Sequence, residues 1–353
     1  MRDFLVSARN LFETEGELHY RESFERVFQW LDSLRGSSEY LDFERDNLEH
    51  VFSVAEMKKQ LGLEGGEELA SDLRYVIMET LDKRCHTQWL RDKFQPDELY
   101  SKFSESLKTL NEGRRERTSQ ASEEFENDVV ISFNYDVLLD YAMQLKRLNL
   151  DYSLDAASQG RGEAFRILKL HGSTNWAFCS KCKKNPLQIV RASPIAKGCR
   201  PGGFMAEGRN YPFGMVTEVL LNTKCTKCNE IGGLEPVVIP PTWSKTVDGT
   251  PIAQVWASAV REIKKAFQIV IIGYSLPPTD TFLQYLVTLG LASNPNLHRV
   301  VVVDKDSSDE FRTRYKTVFS RSLSDRGRLT FLTGKTFERY VAEYMRGVGS
   351  RIQ

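Results

Sequence analysis

The chain has 353 residues, 41% of them hydrophobic, and 48 basic against 48 acidic side chains, so its formal net charge is zero. That balance excludes a general electrostatic attraction to nucleic acid or to an anionic membrane, while the apolar content is ample for a sizeable core. No run reaches the roughly 18 apolar residues that span a bilayer, and the opening MRDFLVSARNLF carries an acidic residue at position 3 in place of a signal peptide's apolar stretch.

The expected compartment is the cytoplasm, where the six cysteines are metal ligands or bystanders and not disulfides. Up to residue 127 the apolar residues fall at helical spacing: Phe24, Val27, Phe28, Leu31 and Leu34, then Leu48, Val51, Phe52 and Ala55, then Leu69, Leu73, Val76, Ile77 and Leu81. Pro96 opens a further helix with Tyr100, Phe103, Leu107 and Leu110 on its apolar face, and the charged stretch 111–128 follows as an exposed connection or polar helix end.

From residue 128 the pattern becomes one of short β-branched runs: VVISF (129–133), RILKL (166–170), PVVIP (236–240), IVIIG (269–273), RVVVVD (299–304) and RLTFL (328–332). Several are apolar at consecutive positions, the mark of strands buried on both faces. Helix candidates at 137–148, 252–267, 279–291, 308–319 and 335–346 lie between them, giving the rhythm of an α/β fold with a doubly wound parallel sheet. The segment 177–235 breaks that rhythm with scattered Gly and Pro. The expected organisation is therefore a helical region at 1–127, a doubly wound domain at 128–176 and 236–353, and an inserted module at 177–235.

That module holds two Cys-x-x-C pairs, Cys179/Cys182 and Cys225/Cys228. Each such turn lets two thiolates approach one ion at tetrahedral angles, and two turns complete a closed four-sulfur structural Zn2+ site. The 42 residues between the pairs exceed the usual spacing, so a loop must project between the two halves. Two unrelated pairs or a redox dithiol are the competing readings. Cys85 and Cys199 lack such a neighbour and read as bystanders.

In open α/β sheets ligands bind beyond the carboxyl ends of the strands, so the residues that follow the runs are informative. They are Asn134-Tyr135-Asp136, His171-Gly172-Ser173, Gly273-Tyr274-Ser275-Leu276, and Asp304-Lys305-Asp306. Each has a plainer explanation: Asn134 and Asp136 can cap the next helix, His171 can be a satisfied buried histidine, Gly273 can mark a turn, and Asp304 can face water. Together they place an amide, an imidazole, a hydroxyl and carboxylates on one rim.

In order and type these residues resemble the sirtuin-like superfamily, and within it the bacterial NAD-consuming proteins associated with antiphage defence. The resemblance covers about residues 128–306. Phe133-Asn134-Tyr135-Asp136 is similar to the family's Asn-x-Asp element, Leu170-His171-Gly172-Ser173 to its His-Gly element, the paired Cys-x-x-C turns to its zinc module, and Gly273-Tyr274-Ser275-Leu276 to its Gly-(Thr/Tyr)-Ser-Leu turn. It implies a Rossmann-like domain that takes NAD as substrate, with His171, Asn134 and Asp136 catalytic and Gly273, Tyr274, Ser275 and Asp304 binding the dinucleotide. The implied activity is an NAD glycohydrolase releasing nicotinamide and ADP-ribose. An NAD-dependent deacylase and an impaired nucleotide-binding module are the alternatives. The helical third is then a lid or a homo-oligomer surface. The family's Gly-Ala-Gly-x-Ser phosphate loop has no counterpart, and Met1-Arg2-Asp3-Phe4 resembles the residues just after it, so a strand and that loop are expected upstream.

Overall fold

The computed structural model describes residues 2–34, 46–90, 93–95, 98–121, 128–154, 164–182, 187–190, 210–212, 215–239, 251–276, 281–319, 321–334 and 336–345. They fall into two compact units, each built from several stretches of chain: one from 1–97, 133–138 and 171–246, the other from 98–132, 139–170 and 247–353. Among the described residues no helix is long and apolar enough to cross a membrane.

The first unit opens with helices α1 (Arg2–Thr14), α2 (Arg21–Ser33), α3 (Leu48–Gln60) and α4 (Gly66–Arg84). Their starts follow capping chemistry: the Asn47 side chain accepts from the Glu49 N–H, and Glu67 and Glu68 sit in the first turn of α4, with Lys83 and Arg84 in its last. The expected apolar faces converge, with Phe24, Val27, Val51, Phe52, Leu73, Val76 and Ile77 at 0–1% exposure in one core. A hairpin of β1 (His86–Leu90) and β2 (Lys93–Gln95) follows α4. The helical periodicity of this third gave no sign of it, because two strands this short offer too few residues for a period.

The second unit contains α5 (Glu98–Ala121), β3 (Val130–Ser132), α6 (Leu138–Leu145), β4 (Leu150–Asp151) and β5 (Phe165–Lys169), which form a parallel sheet in the order β3-β5-β4. The first unit then resumes with β6 (Gly172–Cys179), β7 (Gln188–Ile189), β8 (Asn210–Pro212), α7 (Met215–Asn222) and β9 (Leu234–Val238). Back in the second unit, α8 (Pro251–Lys265), β10 (Gln268–Ile272), α9 (Thr281–Leu291), β11 (Arg299–Asp304), α10 (Asp309–Val318), α11 (Arg321–Asp325), β12 (Leu329–Thr333), α12 (Phe337–Tyr340) and a π-helical turn (Val341–Met345) complete the chain. Its second sheet is parallel in the order β10-β11-β12. Val300 to Val303, in the middle strand, are 0–2% exposed, as a strand covered on both faces requires.

The fold is thus mixed α/β with parallel sheets and a helical N-terminal region. One run belongs elsewhere than the doubly wound rhythm suggested. The 236–240 run supplies β9, which lies antiparallel to β6, a strand whose GSTNWAFC sequence alternates too weakly to announce itself. The turn that carries Cys225 and Cys228 leads into β9, which returns the chain antiparallel beside β6.

Helix α4 buries three carboxylates, and two of them, Glu79 and Asp82, accept backbone N–H groups at the start of another helix. Asp72 accepts from Arg26 Nε and Nη2, each at 2.7 Å, and Glu79 accepts from the His19 and Tyr20 N–H groups at 2.7 and 2.9 Å. Asp82 accepts from the Thr217 N–H and hydroxyl at the start of α7, at 2.6 and 2.5 Å. Burial pushes the Asp82 carboxyl up to about 7, against the pull of the Thr217 bonds. Between about pH 4 and pH 7 the folded state then holds a proton that the unfolded chain has lost, so this group's contribution to stability falls as pH rises through that window. Asp82→Asn keeps an acceptor for Thr217 and removes the charge. In urea titrations it is expected to gain on the wild type between pH 5 and pH 8; a constant difference across that range would refute the assignment.

Candidate functional site

His171 follows β5 and directly precedes β6. It is 3% exposed, and its imidazole lies 5.4 Å from the Phe133 ring and 5.9 Å from the Tyr135 ring, centroid to centroid. The segment 133–136, which sequence order puts 35 or more residues away, is thus packed against it. Backbone bonds secure the juxtaposition: the Thr174 N–H donates to the Tyr135 carbonyl at 3.0 Å, and the Ile239 N–H donates to the His171 carbonyl at 2.8 Å. Within the segment, Tyr135 points inward at 8% exposure, whereas Asn134 is exposed and Asp136 half-buried. Alternation of side chains along an extended stretch produces this division. Asp136 Oδ1 also accepts from the Leu138 N–H at 3.1 Å, so the carboxylate does tie down the start of α6.

Gly172 has φ +82°, and a Cβ built there would stand 2.0 Å from the Val237 carbonyl oxygen. The His-Gly pair is therefore a backbone requirement as well as a chemical one: only glycine lets β6 leave the histidine this close to β9. Behind it, Ser173, Thr174 and Asn175 are buried polar residues, with the Ser173 hydroxyl donating to Asn175 Oδ1 at 2.7 Å.

The second unit gathers the other four candidates at the carboxyl ends of β10 and β11. Gly273 takes φ +64°, and its N–H donates to the Val303 carbonyl, one residue before Asp304. The carbonyls of Tyr274 and Ser275 are held from α10 by the Tyr315 hydroxyl and by Arg314 Nε. Asp304 Oδ1 accepts from the Asp306 N–H at 2.8 Å, which shapes the loop after β11. Gly273, Tyr274, Ser275 and Asp304 thus share one strand-end rim, and in the first unit His171 packs against Phe133 and Tyr135, the sequence neighbours of Asn134 and Asp136.

The four cysteines of the paired turns come together as their spacing suggested. Their sulfurs all lie within 4.8 Å of one another, with Cys179 and Cys228 at 3.7 Å and Cys182 and Cys225 at 3.8 Å. A tetrahedron with metal–sulfur bonds of about 2.3 Å has edges of about 3.8 Å, so the spacing fits a single zinc ion. The Lys227 N–H and the Gln188 side-chain amide both point at the Cys225 sulfur, at 3.4 and 3.5 Å, a second layer that holds a ligand in place. The backbone N–H of Cys228, with that of Lys227, lowers the Cys225 thiol to about 6, while the hydrogen bond to the Cys228 sulfur raises Cys182 to about 12. Cys85 stands apart, half-buried at the end of α4, and Cys199 lies outside the described residues.

Tyr135, Gly172, Arg74 and Ile239 are the residues of this region that sequence reasoning did not assign. Tyr135 stands between two candidates in the Asn-Tyr-Asp element, and Gly172 directly follows His171. Arg74 and Ile239 carry no sequence signal of their own, since they act on backbone atoms far along the chain.

No family model matches the chain, and no curated protein matches it. Among solved structures it is similar to a Sir2 homologue in complex with NAD, at 16% identity over 80% of this chain and 72% of that one, with a TM-score of 0.39. It is also similar to Sir2 bound to an acetylated peptide, at 13% identity over 90% of both chains and a TM-score of 0.37. A third similar structure is a complex of Sir2 with a p53 peptide and NAD+, at 13% identity, 85% and 82% coverage, and a TM-score of 0.36.

Proposed function

We propose that the protein hydrolyses NAD to nicotinamide and ADP-ribose, with a structural zinc ion held by Cys179, Cys182, Cys225 and Cys228. The observation that carries the reading is the packing of the Asn134-Tyr135-Asp136 segment against His171. Phe133 and Tyr135 make the ring contacts, and the adjacent Asn134 amide and Asp136 carboxylate, with the His171 imidazole, are the groups that opening a ribosyl bond calls for. The Gly273-Tyr274-Ser275 turn and Asp304 supply backbone and carboxylate groups suited to a nucleotide's ribose.

The C1′–N bond of the nicotinamide riboside breaks with its electron pair going to nicotinamide, leaving a cationic, oxocarbenium-like ribose. The Asp136 carboxylate stabilises that charge electrostatically. A water, oriented by the Asn134 amide, bonds to C1′ while its proton passes to the His171 imidazole and then to solvent. The Phe133 and Tyr135 rings keep bulk water from the imidazole. Cys179, Cys182, Cys225 and Cys228 would hold the zinc, which would supply structural cross-linking of the two cysteine turns. A role in antiviral defence, through depletion of NAD, is part of the same proposal.

Incubation with NAD, with and without an acyl-lysine peptide, tests the reading. Nicotinamide and ADP-ribose released without peptide support it. Release only with peptide makes the protein a deacylase, and binding without release makes it a nucleotide-binding module. His171→Ala is expected to lower turnover by about 100-fold or more, and Asn134→Ala by a similar factor, with far-ultraviolet circular dichroism unchanged. Turnover within a few-fold of wild type in either variant would remove that residue from the mechanism.

A further inference from the structure

We propose that Tyr135 and Arg74 are positioning residues for His171, gripping consecutive carbonyls at the end of β9 so that this strand holds the histidine in place. The proposal rests on the reading of His171 as the reacting imidazole.

The connection runs through few atoms. The Tyr135 hydroxyl donates to the Ile239 carbonyl at 2.8 Å, and the N–H of the same residue, Ile239, donates to the His171 carbonyl at 2.8 Å. One residue therefore couples the tyrosine side chain to the histidine backbone. Tyr135 is also grasped by its own carbonyl, which accepts from the Thr174 N–H and lies 3.4 Å from the Ser173 and Thr174 hydroxyls. Its two polar ends thus bind the start of β6, just after His171, and the residue that closes β9, while its ring lies against the imidazole.

One residue earlier, the Val238 carbonyl accepts from Arg74 Nε at 3.3 Å, and Val238 is the register partner of Gly172. Arg74 is itself fixed by an ion pair with Glu56 from α3. The helical region therefore reaches the candidate site through an arginine on α4, a role distinct from lid or oligomer surface. Phenylalanine in place of Tyr135 would keep the ring packing and lose only the grip on Ile239. Lysine in place of Arg74 would keep the charge and lose the planar donor.

The test reads the histidine directly. In protein labelled with 13C and 15N at histidine, the His171 imidazole cross-peak is assigned by its loss in His171→Ala, and then followed in Tyr135→Phe, Arg74→Lys and a control, Tyr152→Phe. The control removes a buried hydroxyl that donates to Asp140 at 2.6 Å. The expected result is a shifted, broadened His171 cross-peak in the first two variants and an unmoved one in the control. NAD turnover should fall roughly ten-fold in kcat with KM nearly unchanged, as small misplacement of a reacting group does. A His171 cross-peak that stays in place in Tyr135→Phe, or in Arg74→Lys if the first does not fold, overturns the proposal whatever the rate does. If the wild type does not cleave NAD, the functional reading fails while the cross-peak still decides this one.

Discussion

Gly172→Ala is expected to cost about 3 kcal/mol or more of folding stability, the largest effect of any single methyl group added to the described residues. Two penalties coincide there: a left-handed φ of +82°, unfavourable for any L side chain by about 1–2 kcal/mol, and a Cβ that would sit 2.0 Å from the Val237 carbonyl oxygen. The obstructing atom is backbone, paired into the β6–β9 ladder, so it cannot swing aside as a flexible side chain would. Gly273 provides the internal comparison, because it too has a positive φ, +64°, yet nothing stands within 4 Å of its would-be Cβ. Gly273→Ala is expected to cost only about 1 kcal/mol. Urea denaturation of both variants separates the two; equal losses would mean that the close approach of β6 to β9 is not rigid.

Removing the metal is expected to have a comparably large effect, confined at first to the cysteine turns. Structural zinc contributes on the order of 10 kcal/mol to small metal-dependent folds, and here it would join the turns 179–182 and 225–228 beside the Lys181–Glu230 ion pair at 3.0 Å. The purified protein should contain one zinc per chain. Cys225→Ser should lose it and expose the β6–β9 strand pair to proteases, whereas Cys85→Ser should leave metal content unchanged. A metal-free protein with wild-type protease resistance would contradict the assignment.

Much of the fold was legible because apolar periodicity survives tertiary packing. The faces of α2, α3 and α4 are buried as their 3.6-residue spacing required, and the valines of β11 form the centre of a parallel sheet. The four-cysteine cluster was legible for a different reason: tetrahedral chemistry dictates both residue type and local spacing, so the pairs point to each other across 42 residues. What stayed hidden was pairing direction and backbone-directed contacts. Nothing in PVVIP distinguishes a parallel neighbour from the antiparallel β6, and a buried carboxylate such as Asp82 looks, in sequence, like any polar residue on a helix. Asp136 was legible as a helix cap and as a candidate catalytic group, and its bond to the Leu138 N–H bears on the first of these alone.

The first unit is assembled from chain that emerges from the ribosome at widely separated times. Arg74 and the Val238 carbonyl it holds are 164 residues apart, and Asp82 and Thr217 are 135 apart. At about 5–20 residues per second, α4 waits roughly 8 to 33 s for the β9 carbonyl that Arg74 will grip. Asp72 and Glu79 have their partners, Arg26, His19 and Tyr20, already in hand, whereas Asp82 must wait for Thr217. The nascent helices can bury their shared core early, but the histidine's setting is sealed only after residue 239 has left the tunnel, which makes the candidate site one of the last features of its unit to form.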